Sequence, residues 1–289
     1  MKEIKILKIM KRTSLSLVLL LSITSAVFAQ KNMQVYKFKN FYLHVYTSSE
    51  AMEDVSIIIE GENELVILEQ PSFYNSIKEF NTHVKELKKP IVKVIADYHT
   101  GGLADIDPEL VVMIEGMPEF EKGEIYSGMI KNFSEIFAGS MDTREHKITA
   151  TVPKNSIQKW AGIDFKFSPG SVSDFPGASI NIGGKVYYSH FAPVIAHFSN
   201  LQINSKEAID ALLSELGNAK KSGCELFVGS HGIPTDIKAV DFQIEYLKKM
   251  KEILNSSVSE ESFISAISKV FPNLPGEKNL KSIAEILYK

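Results

Sequence analysis

The stretch Val94-Ile95-Ala96-Asp97-Tyr98-His99-Thr100-Gly101-Gly102-Leu103 runs from an apolar, β-branched segment directly into a histidine and a pair of glycines. Such a run reads as the buried end of a strand followed by a tight loop, because glycine permits sharp turns and close backbone approach. Two further segments repeat the plan. Lys185 to Tyr188 leads to His190, and Glu225 to Val228 leads through Gly229-Ser230 to His231 and Gly232. Loops at strand ends are where layered α/β folds place their sites. Of the seven histidines, His99, His190 and His231 are therefore the candidates. His83 falls in a polar helical stretch and reads as a solvated side chain. His44, in a strand, and His146, in a charged segment, have no motif around them.

Residues 35–46 read as a pair of short strands. Val55 to Glu60 and Glu64 to Glu69 read as a hairpin about the turn Gly61-Glu62-Asn63. Phe73, Ile77, Phe80, Val84 and Leu87 have helical spacing. Ile91 to Ala96 is expected as a strand buried on both faces. A helical stretch near 119–138 follows, then strands at about 147–152, 163–167, 178–182 and 185–189. Helices at 205–221 and 236–254 flank a short strand at 225–228, and helical stretches at 258–270 and 277–288 end the chain. The alternation predicts two sheets between outer helices. Trp160, Phe165, Phe167 and Phe175 read as core aromatics beside a loop over Gly170–Gly177.

Composition narrows the chemistry. The chain has 289 residues, a formal net charge of −3 and one cysteine. Internal disulfides and multi-thiolate metal sites are excluded, so any metal is held by imidazole and oxygen. Cys224, beside a short buried strand, reads as a small apolar residue. No basic stripe is present to neutralise phosphates, which argues against nucleic acid. No Gly-x-Ser-x-Gly elbow, phosphate loop or dinucleotide fingerprint occurs. Lys2, Lys5, Lys8, Lys11 and Arg12 precede the apolar run Leu15–Ile23 and the small residues up to Ala29. This pattern predicts a secretory leader over 1–29, too short in its apolar part to span a bilayer. A single domain over 30–289 would remain, exported to a periplasm or outside the cell without stable membrane insertion, with 256–289 as a C-terminal helical extension. Removing five basic residues and one acid brings its net charge to −7.

The order of these segments resembles the metallo-β-lactamase superfamily over most of residues 35–255. Val66-Ile67-Leu68-Glu69 looks like the family's strand leading to an acidic residue, and Val94–Leu103 is similar to its metal-binding loop. Phe167-Ser168-Pro169-Gly170 resembles the segment before its middle histidine. Val186-Tyr187-Tyr188-Ser189-His190 resembles the strand ending in its bridging aspartate. Phe227-Val228-Gly229-Ser230-His231-Gly232-Ile233-Pro234 resembles its last ligand motif. The resemblance implies an α/β fold, a four-layer αββα sandwich, and a metal-dependent hydrolase.

This chain departs from that pattern where the ligands should be. Aligned on Gly101-Gly102, His99 takes the position of the motif's last histidine, Tyr98 that of its aspartate, and the first two histidines have no counterpart. Aligned on the strand instead, Asp97 and His99 take those first two places. The Gly-Gly alignment keeps His-x-Gly-Gly without a gap. The middle histidine is replaced within Ser171-Val172-Ser173, so the family's usual two-metal centre cannot form. Two readings stay open. In one, His99, His190 and His231 hold a single zinc ion, His190 standing in for the bridging aspartate. Asp97 would then orient a histidine or take a proton, and Tyr98 would polarise a carbonyl or pack. In the other, the chain holds no metal and binds a small molecule or serves an accessory role. A different ligand set drawing on Asp97, His197 or Asp174 is the remaining arrangement. The substrate has no signature in the sequence.

Overall fold

The structure, a computed structural model, describes residues 32–171 and 176–289. The leader expected over 1–29, and Asp174 and Phe175, lie outside the described residues.

Among the described residues, twelve strands form two sheets. The first takes β1 (Met33–Lys37), β2 (Tyr42–Thr47), β3 (Val55–Glu60), β4 (Leu65–Leu68), β5 (Ile91–Ala96), β6 (Val111–Ile114) and β7 (Ala150–Val152) in sequence order. Pairing is antiparallel from β1 to β4 and parallel from β4 to β7. The second takes β8 (Ile157–Trp160), β9 (Ile163–Pro169), β10 (Ala178–Ile182), β11 (Val186–Tyr188) and β12 (Leu226–Val228). It is antiparallel except for the β11–β12 pair. Helix α1 (Tyr74–Glu86) joins β4 to β5, and α2 (Met117–Glu121) and α3 (Glu124–Ile136) follow β6. The helices α4 (Lys206–Lys221), α5 (Ile237–Ser256), α6 (Glu260–Val270) and α7 (Asn279–Leu287) come after β11.

Side-chain alternation assigns each face. On β9, Ile163, Phe165 and Phe167 are buried between Asp164 and Lys166, which face solvent. On β11 and β12, Val186, Tyr188 and Val228 join the core between the sheets, whereas Tyr187 and Phe227 join the core under α4–α7. On β2, Tyr46 meets Phe80 of α1 with ring centroids 5.7 Å apart. The expected four layers are present: helix, sheet, sheet, helix.

Three local expectations change. Val111–Ile114, not anticipated as a strand, is β6 and fully buried in the first sheet. A four-residue apolar run after Asp107-Pro108 carries no periodicity long enough to separate strand from helix. Ile157–Trp160, likewise not anticipated, is β8 at the edge of the second sheet. β5 is buried only from Val94 onward; Lys93 turns its ammonium to the Glu109 carbonyl at 3.0 Å, so the first half of the strand stays partly open.

The C-terminal helices complete a core. Phe263, Ile267, Leu280 and Ile283 are wholly buried with Tyr246 and Leu247 of α5. Phe263→Ala is expected to cost about 3–5 kcal/mol in urea unfolding. A cost below about 1 kcal/mol would make α6 a dispensable appendage.

Candidate functional site

The loop after β5 is shaped by one buried carboxylate. Glu69, immediately after β4, has a positive φ of 61° and no solvent exposure. Its Oε1 accepts the backbone N–H groups of Asp97 at 2.9 Å and Tyr98 at 2.8 Å. Its Oε2 accepts that of His99 at 2.9 Å. The same Oε2 lies 3.4 Å from His99 Nδ1, which places the far side of that ring toward the other histidines. Burial pushes the Glu69 carboxyl up, opposed by His99 and the three N–H groups. The glycines then turn the chain: Gly102 has a φ of 74°, and a Cβ there would meet the Pro71 carbonyl at 2.6 Å. The Gly101-Gly102 pair is thus a steric requirement of this loop, since a Cβ at Gly101 would likewise meet Ser72 at 2.6 Å.

His190 and His231 are brought together by extension of the parallel β11–β12 pairing. The register Tyr188 opposite Val228 continues as a bridge between Phe191 and His231. The His231 N–H donates to the His190 carbonyl at 3.1 Å, and the Ala192 N–H donates to the His231 carbonyl at 3.0 Å. Gly229 permits this approach, since a Cβ there would meet Ala192 N at 2.4 Å.

The three predicted histidines converge. One nitrogen from each of His99, His190 and His231 lies within 4.8 Å of the others, and the ring centroids are 5.0–5.6 Å apart. Tyr98 stacks on His190 at 3.8 Å, and Phe191 stacks on His231 at 5.4 Å. Burial, then the neighbouring histidines, hold the His190 imidazole well below its ordinary value. The same causes pull His231 down to about 4, against a smaller upward effect of Asp54. Both rings are neutral at pH 7 and offer lone pairs, the form in which imidazole binds zinc. His190 Nδ1 is buried without a hydrogen-bond partner. This donor set fits a single zinc ion, since three imidazoles converging within 4.8 Å are a set of zinc ligands. The cluster faces a cleft of about 290 Å³ whose walls include Met52, Met129, Phe133, Phe191 and Leu201, with Asn200 and Asn204.

The other expected site residues are placed around this centre. Asp97 is fully buried; its Oδ1 accepts the Ala178 N–H at 3.1 Å and its Oδ2 the Tyr188 hydroxyl at 3.1 Å. Neither bond goes to a histidine. Tyr188 Oη also shares a 2.5 Å hydrogen bond with Ser230 Oγ, so Asp97 ties the His99 loop to the second sheet and to the His231 loop. Burial, then the Glu69 charge, push its carboxyl well up. Tyr98 is buried against Gly177, and desolvation raises its hydroxyl far above the ordinary value. His197 is outside the site, its Nδ1 2.6 Å from the Tyr246 hydroxyl in the helical core. His83 is not simply solvated: its Nε2 lies 2.9 Å from His44 Nδ1. His44 Nε2 lies 2.9 Å from Glu60, and Lys89 donates to the same carboxylate at 2.7 Å. That chain crosses from α1 to β2 and could not be read from either segment alone. His146 pairs with Glu121 at 3.3 Å.

Sequence reading passed over Asp54, which lies beside the histidines, and the bonding role of Glu69. The signal for Glu69 is an acid directly after a wholly apolar strand, a costly placement unless its oxygens are bonded. For Asp54, at the edge of a loop, no comparable signal exists.

No family model matches the chain, and no curated protein matches it in sequence. Solved structures do. A metallo-β-lactamase superfamily protein from the archaeon Sulfolobus tokodaii is 14% identical, with a TM-score of 0.52 over 83% of this chain and 98% of that one. The stereoselective inverting sec-alkylsulfatase Pisa1 from Pseudomonas sp. is 13% identical, with a TM-score of 0.54 over 86% of this chain and 46% of that one. The DIM-1 metallo-β-lactamase is 13% identical, with a TM-score of 0.50 over 75% of this chain and 97% of that one. At these identities the likeness establishes the fold: the chain has the metallo-β-lactamase fold.

Glu69→Gln leaves one acceptor oxygen where two are used, and is expected to cost on the order of 2–4 kcal/mol in urea unfolding. A loss under about 0.5 kcal/mol would contradict the clamp. A pH effect follows from His231. Unfolded, its imidazole takes a proton near the ordinary value of about 6.5; folded, it does so only near about 4. Between these values the unfolded chain binds more protons, so stability of the metal-free protein falls as pH drops from about 6.5 to 4. His231→Asn is expected to flatten that decline, and parallel curves for the two proteins would refute it.

Proposed function

We propose that this metallo-β-lactamase-fold chain is an exported metal-dependent hydrolase with one zinc ion held by His99, His190 and His231. Its substrate is a neutral, largely apolar carboxylic ester, lactone or amide. The convergence of three imidazoles at the wall of an apolar cleft carries the reading. Export rests on the basic start and short apolar run of residues 1–29.

His99, His190 and His231 would hold the zinc ion, which would supply the Lewis acidity needed to polarise an acyl carbonyl and to acidify water at neutral pH. The protein's share of the work is placement. Stacking on Tyr98 orients His190, and the Glu69 clamp sets His99; Asp97 fixes the His99 loop against the second sheet. We assign Asp97 and Tyr98 as positioning residues on this basis. Met52, Met129, Phe133, Phe191 and Leu201 desolvate an apolar substrate, and Asn200 and Asn204 add polar surface to the same cleft. No Lys or Arg occurs among the described lining residues. A carboxylate, phosphate or sulfate on the substrate would thus lack a cationic side-chain partner. In the reaction, water's oxygen bonds to the acyl carbon, the C–O or C–N bond breaks, and the leaving group takes the proton.

Protein purified without chelator and supplied with zinc is expected to hold about one equivalent by elemental analysis and to hydrolyse neutral aromatic esters and lactones. Replacing any one of the three histidines by Ala is expected to lower kcat/KM by about 10²-fold or more. Zinc content below about 0.1 equivalent would sink the proposal. So would an esterase activity indifferent to all three replacements.

A further inference from the structure

Asp54 belongs to the loop between β2 and β3 and is held hard against the histidine cluster. Its carbonyl accepts the Ser48 N–H at 2.8 Å, and the next N–H, that of Val55, donates to the Ser230 carbonyl at 2.8 Å. These bonds seat the first sheet's loop directly on the turn that presents His231. The Asp54 side chain is buried, with 2% exposure, and neither carboxylate oxygen has a hydrogen-bond partner. Burial of a carboxylate with both oxygens unmatched is strongly unfavourable unless a cation stands against it. Its neighbours are imidazoles: Oδ1 lies 3.9 Å from His99 Nε2 and 3.7 Å from His231 Nδ1. These separations are too long for hydrogen bonds. They are close to the roughly 3.3–3.5 Å expected between two donors on one tetrahedral ion with bonds of about 2.0–2.1 Å.

We propose that Asp54 is a fourth protein ligand to the divalent cation held by His99, His190 and His231. The inference rests on the three-histidine reading above and extends it with a residue from the β2–β3 loop of the first sheet. One carboxylate among three neutral imidazoles supplies the negative charge that a buried dication requires, and it adds a hard oxygen to three nitrogens. Such a set accepts zinc and also cobalt(II) or manganese(II), which take a fifth ligand readily. The site would then lock the β2–β3 loop to the β12 loop, so that metal binding stiffens the junction between the two sheets.

The test is metal affinity of the full chain at pH 7, measured with zinc and with cobalt(II) by chelator competition, for wild type, Asp54→Asn and Asp54→Ala. Melting of the chelated proteins checks that each folds. Loss of the carboxylate is expected to weaken binding about 10²-fold and to alter the cobalt d–d spectrum. It is also expected to raise the melting temperature of the metal-free protein, because an unmatched buried charge has gone. Affinity and spectrum unchanged in Asp54→Asn would overturn the ligand role while leaving the three-histidine site intact. A wild-type chain that binds neither metal would overturn both readings, and metal-free variants no more stable than wild type would show that Asp54 is not an unmatched charge.

Discussion

The Glu69 carboxylate, wholly buried and accepting three consecutive backbone N–H groups from residues 97–99, is the constraint on which the rest of the site depends. An acid at the end of a buried strand is tolerable only when its oxygens are bonded. Here that bonding forces the chain after β5 into a tight loop. The loop's third residue is His99, its second is the ring that stacks on His190, and its first is the acid that reaches across to β10. One residue of the first sheet thus sets the positions of three others, and through Asp97, Tyr188 and Ser230 it is coupled to the second sheet.

The second sheet contributes by simpler means. Parallel pairing of β11 with β12 runs on past the strand ends, where the His231 N–H donates to the His190 carbonyl and Phe191 bridges to His231. His190 and His231 are adjacent for that reason. The layered fold then supplies burial, which keeps their imidazoles neutral and ready to donate lone pairs. The histidine cluster is a junction: one imidazole from the first sheet meets two from the second, with Asp54 of the first sheet's β2–β3 loop beside them.

Much of this was legible in the residues. Strand-to-histidine-to-glycine spacing located His99 and His231, and the order of segments indicated the four-layer fold, because apolar runs ending in loops are local properties. Contacts between distant elements were not legible. β6 was hidden because Val-Val-Met-Ile has no period to read. The His83–His44–Glu60 chain depends on how α1 lies over β2, and Asp54 looks like any acid in a polar loop until the loop is docked on Ser230. Asp97 was visible as a residue of interest, but the direction of its side chain was fixed by Ala178 and Tyr188, some 80 and 90 positions away in sequence.

Zinc K-edge X-ray absorption on the zinc-loaded full-length protein tests the three-histidine centre most directly. The expected spectrum has a shell of nitrogen and oxygen neighbours at roughly 2.0–2.1 Å, with the multiple-scattering pattern of three imidazoles. A spectrum without imidazole scattering, or with the shell of a loosely held hydrated ion, would contradict it.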